Sequence, residues 1–232
     1  MELGGGAGVS LELEGVSGDR WVEHYHPLPL VRAHAPALRV MMPDGSQTTI
    51  PGLEFPAVAA AVAHDPQGAP PIAVQRVKKD EANRWLIAWE HELGEYGRPF
   101  GYEAFTLDVA GRPVAVAVSG STVSTTVEGK ARRDVVELAR IARAPEHPFA
   151  LRAMLRLWRA YLAPAWHYWP VEMAVAYALP GKTGDLYRFD GWRRVRAVRP
   201  SGGGGTYTNK PAVNQIADGT KTLWVFEYER GS

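Results

Sequence analysis

The sequence predicts a mixed α/β fold from about residue 72 to the end, preceded by an N-terminal β-containing extension over residues 1–71. Three observations lead there. From residue 72, strand-like and amphipathic helical runs follow one another in the order β, α, β, β, β, α, β, α, β, β. Two of those strands are joined by a tight hairpin. A Pro-Asp-Gly turn also links two β-prone runs inside the extension. A doubly wound parallel fold would not place two hairpin-linked strands in the middle of such an order.

Residues 1–19 are rich in Gly and poor in large apolar groups, so an ordered element is not expected there. Alternation begins at Leu38-Arg39-Val40-Met41-Met42 and resumes at Gln47-Thr48-Thr49-Ile50. Pro43-Asp44-Gly45-Ser46 lies between them and supplies the positive-φ position a hairpin needs. Residues 55–63 read as a short helix, and residues 64–71, HDPQGAPP, as a linker. After it, 72–77 reads as a strand. Residues 79–95 read as a helix with Ala82, Trp85, Leu86, Trp89 and Leu93 on one face, ended by Gly97-Arg98-Pro99. Residues 102–109 and 113–118 form a hairpin around Ala110-Gly111-Arg112. Residues 135–142 are a further strand. Residues 149–162 form a helix carrying Leu151, Met154, Leu155, Trp158 and Leu162 at helical spacing. Then VEMAVAYALPGKTGDLYRFDGWRRVRAV, residues 171–198, runs strand, Pro-Gly turn, short helix, Gly-aromatic break and strand. Residues 202–205 are a Gly run, and 222–228 supply a last strand.

Composition removes several function classes. Hydrophobic residues make up 46% of the 232, with eight Trp and nine Tyr, which is a globular composition. The absence of Cys excludes disulfides, thiolate zinc sites and Cys nucleophiles. No apolar run approaches the ~20 residues that span a bilayer. The sequence does not open on a charged stretch followed by an apolar one. A soluble, cytoplasmic protein with no membrane partner is expected. The formal charge of +1 hides a gradient: residues 1–130 hold 10 Lys and Arg against 16 Asp and Glu, and residues 131–232 hold 16 against 9. The second part is the one suited to phosphate groups, whether of a cofactor or of DNA.

The run ELARIARAPEH (137–147), a long helix, and then VAYALPGKTGDLYRFDGW (175–192) resemble the second half of the GNAT acyltransferase fold. The likeness extends over roughly 160 residues and is most specific in the last 60 or so. It implies a mostly antiparallel sheet with splayed central parallel strands and flanking helices. It also implies acetyl-CoA or a related acyl-CoA as donor, with its pyrophosphate at the turn before the second helix. A narrower likeness joins 176–192 and the closing KTLWVFEY to phage Mom-type proteins, GNAT-like enzymes that modify adenine in DNA. That likeness implies DNA as a partner. The turn RAPEHPFALR departs from the family, which keeps a basic or Gln residue and two closely spaced glycines there. This turn has no Gly and two Pro, and Pro148 removes an N–H donor.

The resemblance assigns site residues by position. Tyr187 would protonate the departing thiolate as general acid, or else pack as a half-buried Tyr under Trp192. Glu137 matches the place of a base for the acceptor amine, or else faces solvent on an edge strand. Arg140, Ile141, Arg143, His147, Arg152 and Tyr177 are the candidate cofactor contacts. Ser119 and Ser121, with Thr122 and Ser124, are expected to line the cleft opposite Tyr187. His91 faces the acceptor pocket or solvent. Arg188, Arg194 and Arg196, with Arg193 and Arg199, form a basic band, and alternation puts Arg194 and Arg196 on one strand face. Asp185 and Asp190 read as helix-capping or surface groups. Trp166-His167-Tyr168-Trp169 reads as a base-stacking platform or a core plug. His24 and His26 share a face at a metal-compatible spacing, but no carboxylate motif completes the set, so no metal is expected.

Overall fold

The structure, a computed structural model, describes residues 37–50, 72–198 and 221–229, with the main chain alone for 196–198. The expected helix at 55–63, the linker, the His24 and His26 pair, Arg199 and the Gly run at 202–205 lie outside the described residues. One large sheet organises the rest. Its strands are β1 (Leu38–Met41), β2 (Gln47–Ile50), β3 (Ile72–Val77), β4 (Tyr102–Val109), β5 (Arg112–Gly120), β8 (Val135–Arg143), β9 (Met173–Ala178), β10 (Arg193–Val198) and β11 (Lys221–Glu227). These nine lie in the order β10-β11-β9-β8-β5-β4-β3-β1-β2. A small ribbon, β6 (Thr126–Val127) with β7 (Lys130–Ala131), stands apart from the sheet and was not expected from sequence. Helices α1 (Lys79–Ala88) and α2 (Ala150–Leu157) flank the sheet, and the one-turn α3 (Asp185–Arg188) follows β9. This is the mixed, mostly antiparallel sheet expected, with β8 and β9 as a central parallel pair.

The N-terminal hairpin forms as its turn chemistry requires. Gly45 sits at φ +83°, and the Asp44 carboxylate accepts from the Ser46 N–H at 2.9 Å. Its strand β1 pairs in parallel with β3 through Val40 and Ile72, so the hairpin lengthens the main sheet. Leu38, Val40, Met42 and Ile50 join the core shared with α2. The β4–β5 turn puts Ala110 and Gly111 at positive φ, the backbone that matches the twist of a two-residue hairpin.

Helix α1 ends at Ala88, short of residue 95 where the sequence pattern stops. Glu90 adopts φ +51°. Its N–H bonds to the Ile87 carbonyl, and the His91 N–H bonds to the Leu86 carbonyl. That pair of bonds is a Schellman ending, usually signalled by Gly at the position Glu90 occupies. Trp89 still packs against the core beyond the helix, and Leu93 lines the cleft instead. Helix α2 also changes character at its end: over Trp158–Leu162 the turn widens, and the Ala163 N–H reaches back to the Trp158 carbonyl.

Two cores lie on the two faces of the sheet. Helix α2 covers Ala115, Ala117, Val136, Leu138, Ala174 and Ala176 with Met154, Leu155 and Trp158. Helix α1 covers Ala104, Val116, Val118 and Ala142 with Ala82 and Leu86. Trp166 belongs to the first core, so the aromatic quartet begins as a plug, while Tyr168 is exposed. Asp190 corrects its sequence reading. It is buried, and its carboxylate receives Arg156 Nε at 2.7 Å, Arg159 Nε at 2.6 Å and Trp192 Nε1 at 3.1 Å, tying α2 to the turn before β10.

Gly184 enters α3 at φ +74°, and a Cβ there would stand 2.5 Å from the Trp224 indole. The left-handed backbone and the close approach both require glycine. Gly184→Ala is expected to destabilise the fold by about 2–4 kcal/mol, from strain and overpacking together. A denaturant midpoint equal to that of the parent protein would refute this.

Candidate active site

The site begins where β8 and β9 part. Their parallel pairing runs from Val135 and Met173 to Leu138 and Ala176 and ends there. Strand β8 then stays with β5, through Arg140 on Val118 and Arg143 on Ala115, while β9 stays with β11, through Tyr177 on Leu223. The edge of β8 that faces β9 therefore loses its partner after Leu138. A β-bulge marks the parting: Ser119 pairs Leu138 and Val118 pairs Arg140, so Ala139 is the extra residue. A strand alternates faces by single residues, so the insertion brings Glu137, Ala139 and Arg140 to one side, the side of α1. Tyr96, in the core of that side, lies under the Arg140 guanidinium at 6.0 Å.

A cleft of about 600 Å³ opens between the parted strands. Its walls are β8 from Leu138 to Arg143, the end of β9 with Tyr177, the loop carrying His91 and Glu92, and the Lys182-Thr183-Gly184 turn with Tyr187. Lys182 and Glu92, both on its rim, form an ion pair across it. A compartment of about 270 Å³ adjoins it and shares Leu138, Ala139, Arg140 and Tyr177 as a common wall; Tyr96, Arg98, Glu137 and Lys221 complete it.

Tyr187 is 9% exposed and packs between Trp192 and Trp224, with ring centroids at 5.4 and 6.0 Å. Burial, reinforced by the Glu137 charge, pushes its phenol well above the ordinary tyrosine value. The sequence offered a general acid or a half-buried Tyr packing under Trp192; Tyr187 packs against Trp192 and also lines the cleft. Glu137 does not face solvent. It is 6% exposed, and both its oxygens are held by Arg98, at 2.7 and 3.1 Å. Arg98 also donates to the Ser121 carbonyl at 2.6 Å. Gly120 leaves room for this group, since a Cβ there would meet the Tyr96 hydroxyl at 2.5 Å and Arg98 Nη1 at 3.3 Å.

Among the other expected contacts, Arg140, Ile141, Arg143 and Tyr177 line the cleft, and Arg140 and Tyr177 also line the smaller compartment. Arg143 folds back on its own turn and donates to the Ala144 and Pro145 carbonyls at 2.9 and 2.8 Å. His147 packs edge-on against Phe149. Arg152 is not among the cleft residues. It shares the helix face of Arg156, and burial, Arg156 and Asp190 act on its charge in that order. Ser119 likewise does not line the cleft: it is buried on the α2 face, and its hydroxyl accepts from Trp158 Nε1 at 2.7 Å. Ser121 serves through its carbonyl. Arg188 and Arg194 are exposed, and Arg193 pairs with Glu227. Arg194 and Arg196 oppose consecutive residues of β11, Trp224 and Leu223, so a bulge breaks the alternation that would put them on one face.

His91 lies in the cleft, placed by the Schellman ending of α1. Its Nδ1 accepts from the Leu93 N–H at 3.1 Å, which leaves the ring proton on Nε2. Burial, aided by the Arg140 charge, lowers its pKa from 6.5 to about 4. The native state therefore refuses a proton that the unfolded chain accepts. Its contribution to stability is complete above pH 6.5 and is lost as pH falls toward 4. His91→Gln is expected to flatten the fall in stability across that window, read as the denaturation midpoint against pH. An unchanged slope would count against it.

Neither a protein-family model nor a curated protein sequence matches the chain. Among solved structures it is similar to the GNAT domain of S. lividans PAT, at 12% identity and TM-score 0.45, covering 83% of this chain and 97% of that one. It is also similar to an acetyltransferase from Thermus thermophilus, at 13% identity and TM-score 0.42, covering 68% and 97%. A third is a Bacillus subtilis acetyltransferase in complex with CoA, at 14% identity and TM-score 0.41, covering 69% and 99%. No helix among the described residues is long and apolar enough to cross a membrane.

Proposed function

We propose that the protein is an acyl-CoA-dependent N-acyltransferase. The observation that carries this reading is the unpartnered edge of β8 after Leu138, open to a cleft that Tyr187 also lines. An extended amide-bearing arm such as pantetheine can pair with that edge as an added strand would. The fit is weaker at the phosphate end. The turn before α2 has no glycine, and Arg143 is engaged on its carbonyls, although α2 starts without a side-chain cap.

A bound acyl thioester supplies an activated carbonyl: the acceptor amine forms the C–N bond, the C–S bond breaks, and the thiol departs. Tyr187 holds the proton that the leaving thiolate takes, and its buried phenol keeps that proton at neutral pH. Ala139 stands outside the β5 ladder, and main-chain N–H groups beside it can face the carbonyl oxygen. The proton lost by the amine passes to Glu137 or to water, and Arg98 fixes the Glu137 carboxylate. Differential scanning fluorimetry with acetyl-CoA tests the reading, because a ligand that binds only the native state raises the midpoint. An unchanged midpoint at saturating acetyl-CoA would sink it.

A second reading of the acceptor is an amine of a nucleobase in DNA. The exposed Arg188 and Arg194 beside α3 and β10 favour it as phosphate contacts. It expects an additional modified nucleoside in the DNA of cells expressing the protein, detected by mass spectrometry. Unmodified DNA in such cells would remove it.

A further inference from the structure

The 270 Å³ compartment beside the cleft holds three cationic side chains, Arg98, Arg140 and Lys221, against one carboxylate, Glu137. Arg98 already engages both oxygens of that carboxylate. Arg140 is held by main-chain carbonyls alone: Ala139 at 2.7 Å and Gly94 and Glu95 at 3.4 Å. These bonds fix its direction but leave its charge without a counter-ion of its own. Glu137 is the carboxylate among the described residues that acts on it. Beside them the Tyr96 hydroxyl is buried with no acceptor for its proton among the described residues. A desolvated cation and an unused phenol donor both cost free energy unless an anion completes them.

The bulge at Ala139 is what brings Arg140 to this side, next to the wall shared with the main cleft. An anion seated here would hold the rest of a small molecule at the place where β8 and β9 part. The volume sits near the lower end of ligand pockets, which run from about 300 Å³ upward, and suits a molecule the size of an amino acid.

We infer that the acceptor is a small amine carrying a carboxylate or a phosphate, and that Arg140 and Lys221 bind this anionic group. The inference rests on reading the neighbouring cleft as the acyl-donor site, and it makes the acceptor a free metabolite rather than DNA.

Isothermal titration of the full chain, without donor, with β-alanine, O-phosphoethanolamine, ethanolamine and 1,3-diaminopropane tests it. The two anionic amines are expected to bind at least about tenfold more tightly than the neutral-bodied and dicationic ones, a difference of ~1.4 kcal/mol. Preference for β-alanine points to a carboxylate source, and preference for O-phosphoethanolamine to a phosphate source. Arg140→Gln and Lys221→Gln should each abolish the preference, and Lys221→Gln, which lines the compartment and not the cleft, should leave the acetyl-CoA midpoint shift in place. Equal binding of all four amines, tighter binding of 1,3-diaminopropane, or a preference that survives both variants overturns the inference. Acetyl-CoA binding in the same preparation separates that failure from failure of the acyltransferase reading: a midpoint shift without anion preference defeats the acceptor alone. Binding of a single-stranded oligonucleotide that both variants weaken, with no binding of the small anions, would assign the compartment to DNA and also defeat it.

Discussion

Tyr187→Phe is expected to lower turnover by about 10²-fold, the lower end of what a positioned general acid contributes. The change removes one oxygen and keeps the ring between Trp192 and Trp224, so the folded state should be nearly unaffected. Loss of kcat with an unchanged denaturation midpoint is the signature of a proton donor. In the parent protein the alkaline limb of the rate profile should lie above pH 10, because burial opposes formation of the phenolate. A variant with parental kcat would leave Tyr187 as a packing residue.

Arg98→Met should act on stability first. The Glu137 carboxylate stays buried when its bidentate partner is removed, and an unpaired buried charge of this kind costs roughly 3–5 kcal/mol. Joining it to Glu137→Leu removes the stranded charge and should recover most of the loss. Chemical denaturation of the two single variants and the double variant forms the cycle. Losses that simply add would mean the pair is not coupled. Glu137→Gln separates the two roles of the carboxylate: the amide still receives one Arg98 hydrogen bond, while its basicity is gone. A selective loss of kcat in that variant marks Glu137 as the proton acceptor, and parental kcat leaves the step to water.

Local signals carried most of the fold. The Pro-Asp-Gly hairpin, the Ala110-Gly111 turn, the start of both long amphipathic runs and the Pro180-Gly181 turn before α3 are written in residues a few positions apart, and each forms where its chemistry points. The early end of α1 was hidden because Glu90 takes the position glycine usually marks, and only the two main-chain bonds disclose it. The site was less legible. Glu137 finds Arg98 across 39 residues of sequence, and Asp190 finds Arg156 and Arg159 across 34 and 31. Charge pairing at that separation has no local periodicity to betray it, so Glu137 read as a base or a solvent-facing residue and Asp190 as a capping or surface group. Ser119 failed for the opposite reason. Its neighbours predicted the strand end, but which face Ser119 took depended on Trp158 of a later helix.

The bulge at Ala139 is a one-residue slip in a strand whose sequence, VVELARIAR, carries neither Gly nor Pro to announce it. It sets the faces of the residues that follow by their number rather than by their kind. Were the strand paired regularly with β5 while keeping Ala139, every side chain from Arg140 to Arg143 would exchange faces, sending Arg140 into the α2 core and Ile141 toward Tyr96; deleting Ala139 would instead leave each of them opposite its present partner. A substitution at Ala139 keeps the extra residue in place, so the faces of Arg140 to Arg143 do not depend on which residue fills the bulge. The lining of the cleft depends on a count as much as on a composition.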